Sequence, residues 1–139
     1  MRSSEQGAIT DSELLVLRKT LTNLALTDMD AVARIKGIEM IERVELRPQD
    51  EDCYDYVFGQ GGLDVAIARL RVMGIRTDHE AGSIAFYFMN NTLRHVGVVS
   101  DRGGVISKWG PDGHVFKHKP HYLASTYGDI KGYYKYPLR

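Results

Sequence analysis

Short apolar runs separated by turn residues constrain the fold of this 139-residue chain more than any other feature of its sequence. In the first run, Ile84, Phe86 and Phe88 share one face of a strand, because side chains alternate across a strand. Asn90-Asn91 and the segment Asp101–Gly104 are turn-forming sequences between the runs. Consecutive hairpins of this kind predict an antiparallel meander. The predicted strands are Ser83–Met89, Leu93–Val99 and Val105–Trp109.

The first third of the chain has the periodicity of helices. Four leucines recur at spacings of three and four residues, which places them on one helical face: Leu14, Leu17, Leu21 and Leu24. After a break with capping character at Thr27-Asp28, a second apolar stripe runs from Met29 to Ile41. The two stripes predict a helical hairpin over residues 1–46. We expect it to cover the core of residues 47–139 within a single domain.

The only cysteine, Cys53, lies at the start of a predicted short helix. The acidic residues before it, Asp50 to Asp52, suit an N-cap and a first helical turn, and Gly59 is expected to end the helix. A second helix is predicted from Leu63 to Met73, with Gly74 as its C-cap. The meander follows these two helices in the chain.

The composition of the chain limits the cellular locations that the sequence predicts. A single cysteine cannot form an internal disulfide, which fits a reducing compartment or a reactive thiol. No window contains the roughly 18 apolar residues of a membrane span, and no apolar signal segment is visible at the start. We therefore predict a cytoplasmic protein without a membrane partner. A signal-independent secretion system is compatible with the same sequence.

A cysteine at a helix start and a histidine on a sheet strand suggest nucleophilic catalysis. A helix N-terminus lowers the pKa of a thiol, and an imidazole serves as general base and acid. His95 shares a strand face with Gly97, which would leave space for the Cys53 thiol and a substrate. The carboxylates around Cys53 act in the opposite direction, since they raise the pKa of a thiol. Two structural alternatives stay open: a buried structural cysteine and a core histidine.

At these residues the chain resembles the NlpC-type cysteine peptidases of the papain-like clan. The similar motifs, in the family's order, are "DCYDYV" from Asp52, "RVMGIRTDHEAGSIAFYF" from Arg71 and "RHVGVVSDRGGVIS" from Arg94. The resemblance implies an α+β, papain-like fold with N-terminal helices packed on a small antiparallel sheet. It also implies a cysteine nucleophile, a histidine base and a third polar residue that orients the imidazole.

Carried over by position, the nucleophile is Cys53, the base is His95 and the third residue is Ser107. Asp112 and His114 are alternatives for the third role, because serine is short and uncharged. The family's tyrosine upstream of the cysteine has no counterpart here. Three further residues are predicted to bind substrate: Trp109, Lys108 and Tyr54.

The function implied by the resemblance is a cysteine hydrolase or acyltransferase that acts on an amide bond. The substrate is a peptide, a peptidoglycan stem peptide or a protein side-chain amide. No metal and no organic cofactor are implied. A toxin or effector role, with a partner or immunity protein, is compatible with this chemistry.

The alternative is a non-catalytic binding module on the same fold. Residues 57–139 carry 11 Lys and Arg against 6 Asp and Glu, and the tail interleaves lysines and histidines with five tyrosines. Such a tail could contact an acidic partner or nucleic acid. Nucleic acid is not the partner we expect, because C-terminal tyrosines commonly pack on a core. The spacing of His114, His118 and His121 could touch a metal, but no thiol or carboxylate accompanies them.

Overall fold

Strand pairing organises the chain around one seven-stranded sheet in which every neighbouring pair is antiparallel. The structure is a computed structural model that describes residues 9–71 and 75–135. The sheet order is β1-β6-β5-β4-β3-β7-β2. The strands are β1 (Ile38–Glu42), β2 (Ile75–Thr77), β3 (Ile84–Met89), β4 (Thr92–Val99), β5 (Val105–Lys108), β6 (Val115–His118) and β7 (Asp129–Lys135).

Helices accompany this sheet, which confirms the predicted α+β class. They are α1 (Asp11–Thr27), α2 (Met29–Val32), α3 (Cys53–Phe58) and α4 (Gly62–Arg71), with short 3-10 helices at Val44–Leu46 and Ser125–Tyr127. A capping box closes the start of α1: the Thr10 hydroxyl accepts from the Glu13 N–H, and the Glu13 carboxylate accepts from the Thr10 N–H.

The leucine stripe of α1 faces the core as its spacing predicts. Leu21 is fully buried, and the other three leucines pack half-buried against the same cluster. Leu15 and Val16, on the opposite side of the helix, are exposed. Packing of one apolar face therefore attaches α1 to the sheet.

The predicted helical hairpin over residues 1–46 is wrong beyond Val32. The chain turns at Gly37, which has a φ of +97°, and enters β1, where Ile38 is buried and Glu39 is exposed. A residue with positive φ interrupts a helix, and alternating burial is the pattern of a strand. β1 pairs with β6 from Ile38↔His118 onward. Residues 38–42 are thus an edge of the same sheet as residues 75–135.

The predicted meander is confirmed as β3, β4 and β5. Asn90 and Asn91 both have positive φ, 51° and 67°, as the tight turn between β3 and β4 requires. The helix after Cys53 ends at Gly59 as predicted. The second predicted helix is α4, and its predicted C-cap, Gly74, lies outside the described residues.

The two faces of the sheet carry separate apolar clusters. Strand alternation sends His95 and Val96 of β4 to opposite faces. On the His95 face, Tyr87, Trp109 and Phe116 join a cluster that includes Leu21 and Val32 from the N-terminal helices. On the Val96 face, Phe86 and Val96 pack with Cys53 and its neighbours in α3. Both faces of the central strands are therefore buried.

Replacement of a stripe leucine tests the role of α1. Leu21→Ala is expected to lower the free energy of unfolding by about 2–5 kcal/mol, because it leaves a cavity in a fully buried site. Leu15→Ala, on the exposed side of the same helix, is the matched control and should change it by less than about 0.5 kcal/mol. Urea denaturation measures both. Equal, small effects would show that α1 does not stabilise the sheet.

Candidate functional site

Cys53 is the first residue of α3, as the sequence predicts. Asp52 is the N-cap: its carboxylate accepts from the Asp55 N–H, and the Asp55 carboxylate accepts from the Asp52 N–H. The thiol is turned into the protein, with 5% of the residue exposed, and packs against Phe86 and Val96. The helix start is therefore set by local capping, and the direction of the thiol is set by apolar contacts.

Burial dominates the acidity of the thiol. It raises the pKa of Cys53 to about 12; the backbone N–H of Val96 acts in the opposite direction, and the Asp52 charge raises the pKa further. The expectation that a helix N-terminus gives a low thiol pKa is wrong for this arrangement, because desolvation outweighs the nearby N–H groups. At neutral pH the described thiol is protonated.

His95 is a fully buried histidine on the other face of β4. Its ring stacks on Tyr127, with 4.2 Å between centroids, and meets Tyr87 edge-on at 5.5 Å. Within residues 9–71 and 75–135, neither ring nitrogen has a hydrogen-bond partner. Burial, and then the charge of His118, holds the pKa of His95 well below its usual range. The imidazole is therefore neutral, and it is unpaired within the described part of the chain.

The structure brings Cys53 to the backbone beside His95 but does not pair the two side chains. The β4–β5 ladder consists of Val98↔Ile106 and Val99↔Val105, so the strands are no longer paired alongside His95 and Val96. The Cys53 thiol lies near the Val96 N–H. No hydrogen bond joins the thiol to the imidazole among the described residues.

Gly97 does not leave the predicted space for thiol and substrate. A side-chain carbon at this position would collide with the Val105 side chain and would lie 3.0 Å from the Ile106 carbonyl oxygen. The absent side chain of Gly97 therefore allows β5 to approach β4 closely.

Ser107 is buried and hydrogen-bonded, but its partner is His118. The Ser107 Oγ lies 2.9 Å from His118 Nε2, and His118 Nδ1 lies 2.7 Å from the Lys119 carbonyl oxygen. His118 is the residue of this site that sequence reasoning missed. His118 reaches Ser107 only because β6 pairs with β5, and the sequence pattern predicts no strand at residues 115–118.

The two alternatives for the third catalytic role lie in other environments. Asp112 is exposed in the turn after β5. His114 Nδ1 accepts from the Val44 N–H at 2.9 Å, and His114 Nε2 lies 2.7 Å from the Asp30 carboxylate. Both nitrogens of His114 are thus used to attach the N-terminal segment to the sheet.

The three predicted substrate-binding residues make internal contacts. Lys108 is fully buried, and its ammonium donates to three backbone carbonyls, those of Glu51, Gly110 and Pro111, at 2.5, 2.8 and 3.1 Å. These bonds use all three protons and fix the segment before Cys53 to the turn after β5. Trp109 is 2% exposed, and its Nε1 has no partner in the described part of the chain. Tyr54 is half-buried and donates to the Leu93 carbonyl at 3.4 Å.

The described tyrosines of the tail pack inward. Tyr122, Tyr127 and Tyr133 belong to the cluster on the His95 face, and Tyr134 belongs to the cluster on the Cys53 face. Over residues 9–71 and 75–135, no group of three or more His, Cys, Asp or Glu residues is placed to hold a metal ion. None of the helices in those ranges is both long enough and apolar enough to cross a membrane.

The chain matches a known protein family. A family model described as a domain of unknown function (DUF7689) matches residues 28–135, more than half of the chain. The match begins at the end of α1 and extends to the last residue of β7. No curated protein matches the chain. No solved structure matches it either.

Burial of His118 predicts an acid-sensitive fold. Desolvation lowers the pKa of His118 from about 6.5 to about 4. As pH falls from about 6.5 to about 4, the unfolded chain binds a proton that the folded chain rejects, so stability is lost. Between about pH 7 and about pH 4.5 this loss amounts to about 2 kcal/mol for one such histidine.

Urea denaturation at the two pH values measures the effect. His118→Gln should reduce the loss of stability on acidification by about 2 kcal/mol, whereas His121→Gln, at an exposed histidine, should leave it unchanged. The same acid sensitivity in wild type and His118→Gln would contradict the burial of a neutral imidazole.

Proposed function

The chain belongs to the DUF7689 family, and we propose that it is a papain-like, NlpC-type domain whose Cys53 and His95 act on an amide bond. The reaction is hydrolysis or acyl transfer. The substrate is a peptide, a peptidoglycan stem peptide or a protein side-chain amide, which is the substrate range of the resemblance. The proposed base is His95, and the proposed nucleophile is Cys53.

The observation that carries this proposal is the fully buried imidazole of His95, which has no hydrogen-bond partner among the described residues. Leaving a buried polar atom without a partner costs about 1–3 kcal/mol, and His95 carries two such atoms. Groups of this kind need an explanation, and catalysis is one of the established ones. A core position filled only for packing would be more stable with an apolar residue of similar size.

The surroundings of Cys53 support the same assignment. Besides the Val96 N–H, the amide groups of Cys53 and Tyr54 lower the thiol pKa, so they lie where they stabilise negative charge. Tyr127, on which His95 stacks, has its hydroxyl pKa raised by burial and then by the charges of Cys53 and Tyr54. The aromatic partner of His95 is therefore within electrostatic range of Cys53.

In the described arrangement the thiol is protonated, the imidazole is neutral, and the two groups lie on opposite faces of β4. The proposal requires a second, reactive arrangement in which they meet as a thiolate–imidazolium pair, and alkylation detects this pair.

For reaction, one nitrogen of the neutral His95 imidazole accepts the Cys53 thiol proton. The thiolate attacks the amide carbon and forms a C–S bond, and the protonated His95 donates its proton to the leaving amine as the C–N bond breaks. Water, or an acceptor amine, then attacks the thioester carbon while His95 accepts the proton of that nucleophile. The C–S bond breaks, and His95 donates this proton to the departing cysteine sulfur.

A non-catalytic binding module is the second candidate, favoured by the burial and high pKa of the thiol. Its contact surface would be a groove of about 370 Å³ between the start of β1 and the β4–β5 turn. Arg102, Lys117 and Lys119 line this groove together with one carboxylate, that of Glu39. The excess of cations would suit an acidic partner.

Alkylation of the single cysteine distinguishes the two candidates. Because Cys53 is the only cysteine, iodoacetamide reports on its thiol alone. The catalytic proposal expects labelling of the native protein at about pH 6 to exceed that of free cysteine, because a thiolate paired with imidazolium is the reactive species. His95→Ala should reduce this rate at least about tenfold, which corresponds to one pKa unit.

A His121→Ala variant controls for the loss of a histidine at an exposed position. Native fold is checked for each variant by circular dichroism. The contradicting result is a coincidence of the labelling profiles of wild type and His95→Ala, with a rise only in strongly alkaline solution, as a thiol with a pKa of about 12 requires. This result would favour the binding module.

A further inference from the structure

The protonation of His118 is determined by its two hydrogen bonds. Its Nδ1 lies 2.7 Å from the Lys119 carbonyl oxygen, and a carbonyl oxygen can only accept, so Nδ1 carries the proton. Burial lowers the pKa of His118 to about 4. The ring is therefore neutral near neutral pH, and its Nε2 has no proton.

This tautomer determines the direction of the next hydrogen bond. Ser107 Oγ lies 2.9 Å from His118 Nε2, and both residues are buried. Because Nε2 lacks a proton, the Ser107 hydroxyl donates. Its only proton is then used, and the oxygen is left as an acceptor.

Ser107 and His95 lie on the same face of the sheet. Val99 of β4 and Val105 of β5 lie directly opposite each other, so their side chains point to the same face of the sheet. Because side chains alternate along a strand, His95 and Gly97 of β4 point to that face, and so does Ser107 of β5. Gly97 stands two residues from His95, and a side-chain carbon there would lie 3.1 Å from Ser107 Cβ. His118 also lowers the pKa of His95 through its charge, so the two imidazoles are within electrostatic range.

We infer that His118 is a positioning residue for His95 and acts through Ser107. By taking the Ser107 proton, His118 makes the hydroxyl oxygen an acceptor. In the reactive arrangement this oxygen receives one ring N–H of His95, a bond that the described arrangement does not contain, and the other ring nitrogen is left unprotonated to take the Cys53 proton. This inference rests on the proposed function. It also explains how a serine can orient the imidazole, a role that usually needs a stronger hydrogen-bond acceptor. Once its own proton is donated to His118, the Ser107 oxygen can only accept a hydrogen bond, as an amide carbonyl oxygen does.

The other polar groups are less suited to this role. Asp112 is exposed, and both nitrogens of His114 are already bonded to Val44 and Asp30. The indole of Trp109 can only donate. Of these polar side chains, Ser107 is thus the one that is buried on the same face of the sheet as His95 and has an oxygen that can still accept a hydrogen bond.

The pH profile of iodoacetamide labelling tests the inference with five variants. At about pH 6, His95→Ala, Ser107→Ala and His118→Leu should each label about tenfold or more slowly than wild type. His118→Gln should retain most of the wild-type rate, because its amide oxygen can accept the Ser107 proton. His114→Leu is the control: it removes a buried histidine immediately before β6 and should not change the profile, even if it lowers stability.

The outcomes separate the inference from the proposed function. If His95→Ala slows labelling but Ser107→Ala and His118→Leu do not, the inference is overturned and the proposed function stands. If His95→Ala has no effect, the proposed function fails, and the inference fails with it.

A measurement on the wild type covers the case in which His118→Leu does not fold. Long-range ¹H–¹⁵N spectra of the imidazoles should show His118 protonated at Nδ1 both in wild type and in Ser107→Ala, because the Lys119 carbonyl oxygen fixes that tautomer. His118 protonated at Nε2 in wild type would overturn the inference, because Ser107 would then accept from His118 and keep its own proton.

Discussion

Burial of both faces of strand β4 is the constraint on which the site depends. β4 is the central strand of seven, with the N-terminal helices on one side and α3 on the other. Because alternate side chains face opposite sides, His95 is enclosed with Tyr87 and Tyr127 while Val96 is enclosed with Cys53. At His95 and Val96 both faces of the strand are closed off from solvent. An imidazole at this position must therefore form a hydrogen bond inside the protein, or its burial lowers the free energy of unfolding.

The hairpin of β5 and β6 shows how the fold satisfies other buried polar groups. Lys108 has three carbonyl acceptors, Ser107 and His118 bond to each other, and His114 bridges to the N-terminal segment. The bonds of Lys108 hold the segment before Cys53 against the turn after β5. In the same region, His95 and the Trp109 indole lack partners within the described residues. Of these two groups, the His95 imidazole is the one on which the proposed function rests.

Local patterns made much of the fold predictable. The three meander strands, the Leu21 stripe and the helix start at Cys53 follow from alternation, helical spacing and capping, which act over a few residues. β1 was missed because apolar residues at 35, 38 and 41 fit a helix as well as a strand until Gly37 interrupts it. The raised pKa of Cys53 and the Ser107–His118 bond depend on burial and on the pairing of β5 with β6. Such properties arise only from tertiary structure.

The titration of the His95 imidazole in wild type and in Cys53→Ala tests most directly whether the two residues form one chemical unit. Coupling between titrating groups is reciprocal, so a thiol that is activated by His95 must in turn change the protonation of His95. NMR titration of the imidazole nitrogens is predicted to give a pKa for His95 that falls by at least about one unit when the thiol is removed, because the neighbouring thiolate stabilises the imidazolium. Superimposable titration curves of His95 in the two proteins would contradict the account and identify His95 as a core histidine.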